Sequence, residues 1–150
     1  MLTLLALSDV REELGDATGA REAARQGVQV SVARSELGEA ARGLAKVGRM
    51  ELVLGDARAA TQVLAYSLVI ALELELRWAE PGLWTQLSRC LEGPGALTCL
   101  ALAGESSADV PPDALAHAAS IRGDSAELAF VKQLTGIDRD ATEAFLGAMV

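Results

Sequence analysis

Leu14-Gly15-Asp16 returns forty residues later as Leu54-Gly55-Asp56, and each copy is followed by an alanine five residues after its glycine, at Ala20 and Ala60. The same step relates Leu4 to Leu44 and Trp84, Leu7 to Val47 and Leu87, and Ser8 to Gly48 and Ser88, and it carries Gly15 and Gly55 on to Gly95. Self-similarity at this period marks a stacked array of helical hairpins, because one hairpin is too small to bury its apolar face alone. Arrays of this kind usually bind other proteins, so the repeat bears on functional class as well as on fold.

Composition points the same way. Of the 150 residues, 51% are hydrophobic but only 3% aromatic. Ala and Leu supply most of that content, and they lead the helix-propensity ranking. The expectation is an all-α chain of about eight or nine helices. Thirteen basic against 21 acidic residues leave a formal charge of -8, which repels phosphate backbones and argues against nucleic acid as a partner. Cys90 and Cys99 form no CxxC and match no zinc spacing, so both are expected as small buried hydrophobes in a reducing compartment. The longest uncharged run, Ala59 to Leu72, is fourteen residues, short of the ~20 that cross a bilayer. Met1 to Val10 lacks the basic start of a signal peptide. No membrane partner is expected, and the cytoplasm is the expected location.

Apolar spacing and breakers predict helices over 2–14, 17–33, 36–54, 57–79, 81–92, 96–103, 113–121, 125–134 and 138–149. Gly15 suits a helix end at positive φ, and Asp16 a cap for the helix that follows. Ser35 is read as the N-cap of the third helix, Pro81 opens the fifth, and Asp113 caps the seventh. The 57–79 segment is apolar around most of its circumference. It should be buried on more than one side, anchoring the fold or reaching into an oligomer. Repeats therefore occupy about 1–40, 41–80 and 81–103, followed by a loop over 104–111. Residues 112–150 leave the beat and are expected as a C-terminal capping segment.

The recurring residues resemble the tetratricopeptide repeat: Leu4, Leu7, Ser8, Gly15, Ala20, Ala24 and Gly27, then Leu44, Val47, Gly48, Gly55, Ala60, Leu64 and Ser67. Trp84, Leu87, Ser88 and Gly95 begin a third copy. Arg11 and Glu51 stand where that family usually carries an aromatic residue. The resemblance implies a right-handed α-solenoid of antiparallel hairpins, in which the first helix of each pair lines a concave groove for a partner's peptide or helix. Groove positions carried over are Leu2, Leu5, Asp9 and Glu12, then Arg42, Ala45, Lys46, Arg49 and Leu52, then Thr85, Gln86 and Arg89. Arg42, Lys46, Arg49 and Arg89 would form a basic patch attracting an acidic or C-terminal carboxylate peptide. The competing reading is a solvated helix face with scattered ion pairs. The asparagines of the family's carboxylate clamp are absent.

Sequence motifs for chemistry are lacking: His117 is the only histidine, and there is no phosphate loop, GxSxG or HExxH. No catalytic residue, metal site or cofactor is expected. Arg122-Gly123-Asp124 reads as a helix–helix turn. Trp78 and Trp84 read either as packing residues beside Pro81 or as an exposed hot spot. The functional expectation is a non-enzymatic scaffold binding a protein partner or a second copy of itself. A homo-oligomer is favoured by the apolar end Phe145, Leu146, Met149 and Val150. A sensor or regulatory segment of a larger bacterial transcription activator or signalling ATPase is the alternative, and a small helical enzyme the remote one.

Overall fold

Every regular element in the computed structural model is a helix; the structure describes residues 3–104 and 110–149. In chain order these are α1 (Leu4–Glu13), α2 (Ala17–Ala33), α3 (Leu37–Val53), α4 (Ala57–Glu73), α5 (Glu80–Cys90), α6 (Pro94–Leu102), α7 (Pro112–Ser120), α8 (Asp124–Thr135) and α9 (Arg139–Ala148). From α1 to α7 each helix packs on the next, giving an all-α, solenoid-like stack of hairpins.

The helix junctions repeat every twenty residues, half the step visible in the sequence. Gly15, Ser35, Gly55 and Glu75 all take positive φ, at 80°, 58°, 85° and 55°. At each one the following residue's N–H reaches back five positions: Asp16 to Arg11, Glu36 to Ser31, Asp56 to Glu51 and Leu76 to Ala71, all at 2.8–2.9 Å. This is the Schellman closure of a helix C-terminus. Asp16 and Asp56 then cap the next helix, accepting from Gly19 N–H at 2.8 Å and Ala59 N–H at 3.0 Å. Ser35 is therefore not the N-cap of α3; it is the left-handed residue closing α2, and Glu36 holds the cap position. The 57–79 helix likewise stops at Glu73, because the turn at Glu75 puts Leu74 and Leu76 outside it.

Small residues set the distance within each hairpin. Ser8 Oγ donates to the Ala20 carbonyl at 2.6 Å, and Ser67 Oγ donates to the Ala41 carbonyl at 2.7 Å. Gly48 lies so close to α4 that an added Cβ would stand 2.6 Å from Leu64 Cγ. Arg11 and Glu51 tie neighbouring helices. Arg11 donates to the Gly19 carbonyl at 3.1 Å, and Glu51, only 3% exposed, accepts from Arg21 at 3.1 Å.

After α7 the chain doubles back. α8 rests on α4, with Phe130 5.9 Å from Trp84 on α5 and Leu134 against Gly95 on α6. α9 continues toward the N-terminus and lies in the furrow between α2 and α4, floored by α3. There Phe145, Leu146 and Met149 join Val28, Val32, Leu44, Val63, Tyr66 and Ile70. Phe145 stacks on Tyr66 with ring centroids 4.1 Å apart and planes within 3°. The apolar C-terminal residues expected to be uncovered are thus packed on the chain's own second helices; Val150 lies outside the described residues. α4 is buried on both sides within one chain, which accounts for its apolar circumference without a second protomer.

Smaller differences concern helix starts. α7 begins at Pro112 with Pro111 in the cap position, and Asp113 makes no side-chain cap bond. The expected loop over 104–111 falls, apart from Gly104, Val110 and Pro111, outside the described residues. Gly123, with φ of 119°, forms the turn between α7 and α8, as its tripeptide suggested.

Candidate binding groove

First helices α1, α3 and α5 share the face opposite the one that α8 and α9 cover. A cavity of about 250 Å³ opens between them, lined by Leu5, Asp9, Arg42, Ala45, Lys46, Arg49 and Gln86. All seven belong to the groove positions carried over from the repeat resemblance. Leu52 is partly buried and Arg89 exposed, and neither lines this cavity; Leu2 lies outside the described residues.

Charge in the groove is more balanced than the four cations suggested. Lys46 is only 7% exposed, and its ammonium donates to Asp9 Oδ1 at 2.7 Å and also to Glu12 Oε1. Arg49 Nη2 adds a bond to Glu12 Oε1 at 2.8 Å. The Lys46 hydrogen bond, with the two cations' fields, holds the Glu12 carboxyl below its ordinary value of 4.5. A buried ammonium needs such partners, since an unpaired charge taken out of water is costly. Two of the predicted basic residues are therefore engaged by acids from α1, and they join α1 to α3.

Arg42 differs. It makes no ion pair among the described residues, and its guanidinium lies over the Trp78 ring, 5.1 Å from the centroid. Trp78 is 62% exposed. It sits in the turn before α5 as a surface aromatic, whereas Trp84 is fully buried against Phe130. The two tryptophans so divide the two roles read from the sequence. Nothing in local sequence pairs Arg42 with Trp78; the contact follows from how α3 meets the start of α5. Gln86 contributes a buried Oε1 with no hydrogen-bond partner among the described residues.

The side chains considered for chemistry lie on the successive helices α5, α6 and α7. Cys99 is buried and its thiol is pushed up to about 12, chiefly by that burial; Cys90 is half-buried and raised for the same reason. His117 is exposed, with Nδ1 3.2 Å from Thr98 Oγ1 and its ring edge-on to Phe130. Among the described residues no group of three His, Cys, Asp or Glu side chains is placed to hold a metal ion, and no helix is long and apolar enough to cross a membrane. No family model matches the chain, and no curated protein and no solved structure does so either.

Proposed function

We propose that this chain is a non-enzymatic interaction scaffold, a tetratricopeptide-like array whose concave groove takes a partner peptide or helix bearing an acidic group. The observation that carries the reading is the convergence of α1, α3 and α5 on one cavity with Arg42 and Trp78 at its side. A guanidinium without a carboxylate partner, held against an exposed indole, offers a carboxylate bidentate bonds and an adjacent side chain an aromatic face. Lys46 and Arg49, neutralised by Asp9 and Glu12, shape the wall and do not add net attraction. The acidic ligand is thus recognised by one cation rather than by a broad basic field. The twenty-residue beat of identical helix closures supports the family resemblance, and a cytoplasmic location fits the reduced thiols.

The test is a titration of the purified chain with fluorescein-labelled acidic peptides ending in a free carboxylate, read by anisotropy. Saturable binding that weakens with salt and is lost in Arg42→Glu, while Arg139→Glu on the far face binds normally, supports the groove. Equal binding by Arg42→Glu and the parent overturns it.

A further inference from the structure

α9 is seated but does not fill its seat. Two cavities flank the docked helix, one of about 270 Å³ beside Leu146 and Thr142, the other of about 290 Å³ beside Phe145 and Met149. Phe145, Leu146 and Met149 remain only partly buried. The helix rests chiefly on α4, and its ion pair to that helix, Arg139 to Glu73 at 3.8 Å, is solvent-exposed. The connection to α8 is short: Gly136, left-handed at φ 74°, then Ile137 and Asp138. The furrow beneath is floored by Leu44 and walled by Val28, Val63 and Ile70, with Arg25, Gln29 and Glu73 along its rims.

We propose that α9 is an exchangeable helix, and that the furrow between α2 and α4 takes the α9 of a second copy in place of its own. The structure itself shows which ligand the furrow fits, an amphipathic helix with Phe, Leu and Met on its apolar face. A second copy presents that same surface, so contacts made across the exchange equal those made within one chain, and only the linker differs. Effective concentration favours the intramolecular arrangement in dilute solution, and exchange gains as protein concentration rises. The device lies on the face away from the groove. It gives the scaffold reading a self-associating arm, and it stands or falls separately from peptide binding at Arg42.

The experiment uses the full wild-type chain. Light scattering across a concentration series, brought to equilibrium with and without excess synthetic peptide Asp138–Met149, reads the exchange directly. The expected result is a dimer that grows with concentration and returns to monomer when the peptide occupies the furrow. The Phe145→Ala peptide should be weaker by at least about tenfold, the equivalent of ~1.4 kcal/mol. A chain that stays monomeric at every concentration overturns the proposal. So does a dimer that the peptide leaves intact, or one dissociated equally by both peptides. Arg42→Glu, chosen to remove groove binding, should exchange α9 as the parent does.

Discussion

Lys46 Nζ on α3 lies 2.7 Å from Asp9 Oδ1 on α1, and the same ammonium reaches Glu12 one turn further along α1. A residue that reads as part of a basic binding patch is therefore a buried tie between the first helices of successive hairpins. The groove wall is held at the cost of much of its positive charge, and Arg42 is left as the groove cation with no ion pair among the described residues.

Replacing Lys46 with Met removes the tie and leaves Asp9 and Glu12 facing each other. Asp9 stays largely solvated, so the loss should fall below the usual 3–5 kcal/mol for a broken buried pair, at about 1–2 kcal/mol. Urea unfolding with an unchanged m-value checks it.

Acid should weaken the same tie. The folded-state pKa of Glu12 is depressed below 4.5, mainly by the hydrogen bond from Lys46. Its contribution is thus present above the unfolded value and lost as pH falls through the folded one. Stability should drop below about pH 4.5 in the parent, and less steeply in Lys46→Met. Carbon-detected NMR titration of Glu12 should show its midpoint rising in that variant.

The four left-handed closures are filled by two glycines and two residues with side chains. Ser35→Gly and Glu75→Gly relieve a backbone cost of ~1–2 kcal/mol against an entropic loss of ~0.5–1, for a net gain of about 0.5–1 kcal/mol each. Gly55→Ala meets no neighbour within 4 Å, yet should destabilise by about 1–2 kcal/mol for its φ alone. Thermal melts of the three variants, compared side by side, decide the matter.

Gly48→Ala is a steric experiment instead. A Cβ 2.6 Å from Leu64 Cγ, with Leu64 fully buried, forces α3 and α4 apart or Leu64 off its rotamer. A loss of about 1–3 kcal/mol is expected, and Leu64→Ala, which removes the clashing Cγ, should cost less in the Gly48→Ala background than in the parent. A double-mutant cycle should return a coupling of favourable sign.

The thiols should react in order of burial. Cys90, half-buried, should be modified slowly by an aromatic disulfide reagent at neutral pH, and Cys99 only on unfolding. Equal rates in the folded chain would contradict the burial of Cys99.

The turns at Gly15-Asp16 and Gly55-Asp56 were legible because their chemistry is local: glycine for the left-handed residue, aspartate for the cap. Those at Ser35 and Glu75 were not, since neither residue favours positive φ, and the packing of α2 on α3 and α4 on α5 imposes it. Repeat spacing placed Leu5, Asp9, Arg42, Lys46 and Arg49 on first helices, and the structure lines one cavity with them. It carried no information on Lys46 meeting Asp9 and Glu12, or Arg42 meeting Trp78, because those pairs depend on the separation and rotation of helices remote in sequence.

Helix content, the hairpin beat and the partition of first and second helices belong to the sequence alone. They rest on hydrogen bonds and side-chain spacings within a few residues, repeated until the pattern shows. The return of α8 and α9 across the second helices was decided by tertiary structure. Phe145 finds Tyr66, and Phe130 finds Trp84, only where the furrows between stacked helices already exist, and the shape of a furrow is a property of the assembled stack that no single segment encodes.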